Sequence, residues 1–399
     1  MATDIKDTVH SVDAASVMAL FPAPPRLLAL GEPTHGEDTL LELRNDLFRQ
    51  LVERHGYRTI TIESDCLAGL LVDDHITSGS GTLDEVMERG FSHGLGASAA
   101  NRDLVRWMRA FNEGRPDGDR LRFAGFDGPL EISAAASPRQ VLTALHSRLS
   151  AWLAPRLLPC TADALDQLLG PDGPWTDEGV MWDPSWGIGR SPAARELRLV
   201  ADDLAALLEE RAPQILALTS PEELARARLF ARTATGLLRY HSWMADSSPG
   251  RMTRLVGVRD QMMAENLLAL AERGPTLVFA HNAHLQRYPS GMRMGEEELE
   301  WWSAGALASA RLGPAYGVLA MALGTIRHQG VDTPSGDSVE GLLYGLPEER
   351  FLVDAPWLAA TLVPTPAPRV SPWFGYAPLA PERLAEAEGI VYLRDVRRS

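Results

Sequence analysis

Cysteine is nearly absent: Cys66 and Cys160 are the only two in 399 residues. Two thiols exclude a disulfide framework and a cysteine-based zinc site, so both read as reduced, structural residues. Lysine is scarcer still, with Lys6 alone and arginine in its place, a coding bias that says nothing about function. Basic charge as a whole is in deficit, 38 Lys and Arg against 53 Asp and Glu, for a formal net charge of −15. That sign is wrong for neutralising nucleic-acid phosphates or settling on an anionic membrane, so neither is an expected partner, whereas a neutral or cationic small molecule is not repelled. No apolar run reaches the roughly 18 residues of a membrane-spanning helix. The start, Met1-Ala2-Thr3-Asp4-Ile5-Lys6-Asp7, lacks the basic then apolar pattern of a signal peptide, which gives a cytoplasmic expectation. What is present, 45% hydrophobic and 23% charged residues, is ordinary globular composition. The length suits one large domain with an insertion, or two or three small ones.

Arg26 to Gly31 is a short apolar run ending in glycine, broken by Glu32-Pro33-Thr34-His35-Gly36, which reads as a buried strand entering a loop. Leu40, Leu41, Leu43, Leu47, Leu51 and Val52 then recur at helical spacing from Asp38 to Arg54, and His55-Gly56 reads as the stop. Arg58 to Glu63 is rich in β-branched residues, a second strand with Glu63 at its carboxyl end. Asn101 to Phe111 has helical periodicity and precedes a strand from Leu121 to Asp127. Asp260 to Glu272 precedes another strand, Thr276 to Ala280, which ends at His281-Asn282-Ala283-His284. Strands are also expected at Ala315 to Leu323, Arg350 to Asp354 and Gly389 to Leu393, with a helix at 337–343, an irregular region from Trp301-Trp302 and a proline-rich surface connection from Pro364 to Pro372. Ser137 to Leu158 and Ala193 to His241 carry long Leu/Ala/Arg periodicities, joined by 170–189 with Trp175, Trp182 and Trp186. That stretch reads as a substrate lid or as surface packing for the helices.

The expected fold is α/β: a central mixed or parallel sheet flanked by helices, with a helical insertion walling one side of an active-site cleft. The division is 1–136 and 246–399 as two parts of the catalytic core and 137–245 as the insertion. In parallel sheets ligands sit beyond the carboxyl ends of strands. Those ends present Glu32 with His35, Glu63, Asp127, and His281 with His284. Any one of these histidines is more often a satisfied structural residue than a catalyst; two pairs following apolar strands are more telling, because rigid elements hold them toward a common crevice. Histidine is the natural base near neutral pH, and a carboxylate neighbour fixes its tautomer. Arg44 reads either as a site residue or as a salt-bridge partner of Glu63 or Asp46. Asp127 reads equally as a site residue or a helix cap. Cys66, three residues after Glu63, reads as a buried thiol. Ser78-Gly79-Ser80-Gly81 lacks the preceding strand of a serine-hydrolase elbow and reads as a turn.

These pieces together resemble the erythromycin esterase family of hydrolases. The resemblance is carried by Leu30-Gly31-Glu32-Pro33-Thr34-His35-Gly36, Glu42-Leu43-Arg44 with Leu51-Val52-Glu53, Thr59-Ile60-Thr61-Ile62-Glu63, Trp107-Met108-Arg109 with Asn112, Gly125-Phe126-Asp127, Arg259-Asp260 with Met263-Ala264-Glu265-Asn266, and Ala280-His281-Asn282-Ala283-His284, over about residues 26 to 355. It implies an active site of Glu32, His35, Arg44, Glu63, His281 and His284, with His35 as the base that activates water. One departure is Phe91-Ser92-His93-Gly94-Leu95-Gly96, where family members commonly carry aromatic residues.

The expected function is hydrolysis of an ester or macrolactone in a bulky natural product, with Asp127, His93, Trp182 and Trp186 as substrate-contact candidates. The alternatives are a tailoring enzyme that uses the same acid and base groups for cyclisation, elimination or another proton transfer, and a sequestering protein without turnover. No cofactor is expected. The same side chains also read as a divalent-metal site at His35, Glu63, His281 and His284, but no His-Glu-x-x-His helix motif occurs and the resemblance implies metal independence. The partner is a bulky small molecule; the sequence leaves the oligomeric state open.

Overall fold

The computed structural model describes residues 5, 8–131, 134–371, 373 and 375–396; of the positions singled out above, Met1 to Asp4, Lys6, Asp7 and Pro372 lie outside the described residues. The chain divides into two compact units, Met1–Phe126 with Leu267–Ser399, and Asp127–Asn266.

Among the described residues the first unit is built on nine strands: β1 Leu27–Glu32, β2 Thr59–Asp65, β3 Arg122–Asp127, β4 Thr276–His281, β5 Pro289–Met294, β6 Glu297–Trp302, β7 Tyr316–Thr325, β8 Arg350–Asp354 and β9 Gly389–Asp395. The last residue of β3, Asp127, already belongs to the second unit. Seven strands form one sheet in the order β3-β2-β4-β1-β7-β9-β8. The run from β2 to β9 is parallel, and β8 closes the edge antiparallel to β9. All six residues of β1 are buried, as a strand covered on both faces requires, and this explains its unbroken apolar run. Along β7 the side chains alternate by period two. Leu319, Met321 and Leu323 join Leu28, Leu30, Ile60, Ile62 and Phe279 in one core with Leu40, Leu47 and Leu51. Ala322 joins Phe351, Val353, Ile390 and Tyr392 in a second core.

The helix after β1 runs Asp38–His55 and stops at Gly56, which takes a left-handed φ of 72°, the conformation glycine adopts without strain. The region after His284 is more regular than its sequence suggests. Pro289 and the acidic run Glu296 to Glu298 mask an antiparallel β5–β6 hairpin that turns at Gly295-Glu296 and ends on Trp301 and Trp302. Helices Gly69–Ser78 and Leu83–Arg89 lie between β2 and β3, and Ser78-Gly79-Ser80-Gly81 is the end of the first of them, with Gly79 left-handed at φ 81°.

The second unit is helical, with Arg139–Trp152, Ala162–Leu169, Pro192–Glu210, Ala212–Leu216, Pro221–Met244 and most of Arg251–Arg273. The single long periodicity read from Ala193 to His241 is three helices, because Pro213 and Pro221 each open a new one. The helix expected from Asp260 begins at Arg251. The Arg251 guanidinium, buried, donates to the carbonyls of Met244, Val180 and Met181 and fixes that earlier start. No helix among the described residues is long and apolar enough to cross a membrane.

Candidate active site

The site is assembled by strand order. β4 lies between β1 and β2, so the carboxyl ends of three neighbouring parallel strands deliver Glu32, His281 and Glu63 side by side, with Glu32 and His281 in register. The β4 end is pinned by Asn282, whose amide donates to the Met321 carbonyl of β7 at 3.0 Å. Only glycine fits beneath it: a Cβ on Gly31 would stand 2.2 Å from Asn282 Oδ1.

His35 sits on the loop after β1, with half of its side chain exposed. Its Nδ1 meets Glu32 Oε1 at 2.7 Å, and its Nε2 lies 3.8 Å from Glu63 Oε2. The first contact is a charge-assisted hydrogen bond; the second is too long for one and is a span that a water can bridge. Burial opposes a charged imidazole here, yet the Glu32 hydrogen bond and the negative charges of Glu63 and Glu32 outweigh it, and the His35 pKa is raised. Glu32 is itself buried, and burial pushes its carboxyl upward against the pull of His35 and Arg44.

Glu63 is the hub. Its Oε2 accepts the His281 backbone N–H at 2.9 Å and its Oε1 faces His284 Nε2 at 3.2 Å. His281 stacks at a tilt on His35, ring centroids 5.3 Å apart. Its Nδ1 accepts the Ala283 N–H at 3.2 Å and the ring also bonds the Pro33 carbonyl. Burial, helped by the charge of His35, lowers its pKa to about 4, so this imidazole is neutral. Among the described residues no group of three His, Cys, Asp or Glu side chains has a metal-holding arrangement.

Arg44 is fully buried. Its hydrogen bonds go to the amide oxygens of Asn45 and Asn101, not to Glu63 or Asp46, and Asp46 pairs instead with Arg49. Burial lowers the Arg44 pKa to about 10, against the attraction of Glu32 and Asp38.

The remaining candidates lie on other elements. Asp127 is buried in the second unit, where it accepts two guanidinium nitrogens of Arg259, Nη2 at 2.6 Å, and the Gly128 N–H. It caps no helix, since the next begins at Arg139. His93 is exposed, with φ 55°, on a loop tied to the end of β2 by reciprocal Ser64 and Ser92 hydrogen bonds. Trp182 and Trp186 are exposed in the second unit, whereas Trp175 is buried with its indole N–H on the Leu169 carbonyl. Cys66 is buried. Sequence reasoning missed Asn45 and Asn101, and also Glu37, whose Oε1 holds His328 Nε2 at 2.9 Å at the far end of the His35 loop. The only signal was polar side chains at core-facing helical positions.

An α/β sheet thus gathers histidines and glutamates at the carboxyl ends of its parallel strands. A family model described as Erythromycin esterase matches residues 52–399, and the chain belongs to that family. An erythromycin esterase type I of Escherichia coli is 26% identical over 310 residues, covering 72% of this chain and 70% of that protein. Among solved structures, a Bacillus cereus protein superposes with a TM-score of 0.73 at 16% identity, covering 100% of this chain and 98% of the other. A mutant of an erythromycin esterase in its open conformation superposes with a TM-score of 0.64 at 19% identity, covering 95% and 92%. These structural likenesses establish a shared fold.

Proposed function

We propose that this protein hydrolyses a carboxylic ester or lactone of a bulky natural product, macrolides first among them, with His35 as the general base on water. The observation that carries this is the Glu32–His35 pair: a 2.7 Å contact at Nδ1 that leaves Nε2 on a half-exposed ring facing Glu63. With the proton kept on Nδ1 and donated to Glu32 Oε1, the Nε2 lone pair is free to accept a proton from water. Glu63 Oε2 orients that water from the other side. Hydroxide attacks the carbonyl, the His35 imidazolium returns its proton to the leaving alkoxide, and an acid and an alcohol result. General-base help is worth about 10² to 10⁴ in rate, so donors placed at the developing oxyanion supply the rest. His284 is the candidate donor. The reading uses side chains and water alone, without a cofactor.

The test is incubation of metal-stripped protein and its His35→Ala variant with a panel of macrolides and other macrolactones, followed by mass. The expected result is a gain of one water that disappears in the variant. A product of unchanged mass would replace hydrolysis with cyclisation or another isomerisation, and no change on any member would sink the macrolide reading.

A further inference from the structure

β7 runs between β1 and β9 in the sheet, and Ala320 is its one residue that is not buried. Period two fixes the side it faces. Leu319 and Met321 share a core with Leu30 and Phe279, in the rows that Glu32 and His281 continue, so Ala320 lies on the opposite face of the sheet, with Ala322. There it floors a cavity of about 270 Å³ together with Val318 and Ile390. One wall is the turn Asn282–Leu285 and the other is the segment 377–387. Neither His35 nor Glu63 lines it. Protein interiors pack as densely as organic crystals, so a void that reaches a central strand is costly to keep. Alanine at 283, 320 and 387, where leucine would fill the space, keeps this one open.

The walls have spent their charges. Arg383 pairs with Glu386 at 3.2 Å, and Arg287 pairs with Glu388 at 2.8 Å, so a charged ligand would have to break a pair or enter without a partner. Gln286 Nε2 is committed to the Pro289 carbonyl and to Ser290 Oγ. Tyr288 differs. It lines the cavity half-buried, its ring lies 5.5 Å from the Arg383 guanidinium carbon, and among the described residues its hydroxyl has no hydrogen-bond partner. Burial pushes its pKa up to about 12, so it stays a neutral hydroxyl that can donate or accept. A cavity of about 150 Å³ suffices for benzene, so this one takes a compact molecule of roughly ten heavy atoms.

We infer that this cavity is a second small-molecule site, which takes a neutral, compact hydrocarbon skeleton carrying one hydroxyl or carbonyl oxygen, held by Tyr288. Small-molecule sites have this make-up, an apolar lining with a few polar groups that fix orientation. The assignment does not depend on the hydrolase reading, because it uses the other face of the sheet.

The test is calorimetric titration and thermal melting of the whole chain with menthol, a compact alicyclic alcohol, and with cyclohexylacetate, an anion of similar bulk. Menthol is expected to bind and to raise Tm, and the carboxylate to bind about tenfold or more weakly. Ala320→Leu puts three more carbons into the cavity. Its menthol affinity is expected to fall about tenfold or more, with Tm at or above the parent's, as when a void is filled. Tyr288→Phe keeps the ring and is expected to weaken menthol about two- to tenfold, the worth of one neutral hydrogen bond. His35→Ala, a distant change, is expected to leave menthol binding within about twofold of the parent's. The assignment is overturned by no menthol binding to the parent, by parental affinity in folded Ala320→Leu or in Tyr288→Phe, by loss of binding in His35→Ala, or by preference for the carboxylate. Should Ala320→Leu not fold, Ala387→Leu fills the same cavity from the facing wall and is read in the same way.

Discussion

Glu32 and His35 show how far three residues of sequence carry the chemistry. Their spacing on one loop was enough to pair them, because a turn of that length brings positions i and i+3 together, and the structure sets them at 2.7 Å. The consequence is a pH dependence of definite sign. His35 acts as base only when neutral, and its pKa is raised above 6.5, so kcat/KM is expected to climb with pH through a midpoint above 6.5. Glu32→Gln removes the charge that raises His35. Its acid limb is expected to shift to lower pH and its kcat to fall by about 10²-fold or more, as for loss of an oriented base. A pH–rate profile of the variant superposing on the parent's would remove Glu32 from the mechanism. Arg44 was legible only as a position. Its partners were not, because the amides that hold it come from the next residue and from 57 residues away.

At the scale of elements, β1, β2 and β4 and the helix after β1 could be read from apolar runs and helical spacing, since burial of those faces is written locally. The β5–β6 hairpin could not, because its strands carry proline, methionine and glutamate and gain their stability from pairing. The docking of β4 against β1, with Asn282 reaching past its end to the Met321 carbonyl of β7, also escaped, although its mark is in the sequence as Gly31 and Asn282. Gly31→Ala would drive a methyl to 2.2 Å from Asn282 Oδ1. The expected cost is about 1 to 3 kcal/mol, as for overpacking in a core. Because Asn282 separates His281 from His284, kcat is expected to fall as well; thermal melts and steady-state kinetics on Gly31→Ala check both. A variant with parental Tm would show that the strand ends are looser than the contact implies.

For the whole molecule, the buried His241 and the half-buried His281 contribute to an acid limit of stability. His241 in the second unit, bonded to the Ala136 carbonyl and edge-on to Trp175, has its pKa lowered by burial to about 4, and His281 in the first unit is lowered to about 4 as well. An unfolded histidine binds its proton near 6.5. The unfolded state therefore holds more protons between those values, and the stability these residues contribute is present above 6.5 and lost as pH falls toward 4. For His241 the loss is on the order of 3 kcal/mol. His35 works the other way, contributing below 6.5 and losing that contribution as pH rises through its raised pKa. Melts from pH 7.5 to 4.5 are expected to show a falling Tm, with a shallower fall in His241→Gln, which keeps a donor for Ala136; parallel curves for the two proteins would reject this origin. The sequence by itself determined which loops carry clustered histidines and carboxylates, because strand-ending apolar runs and the Glu-x-x-His and His-Asn-x-His spacings are local. Tertiary structure alone decided that β4 threads between β1 and β2, bringing the His281 N–H to Glu63 across 218 residues, and that Asp127 is taken up by Arg259. Strand order and buried ion pairs depend on which distant surfaces exclude water together, and no local pattern of residues encodes that choice.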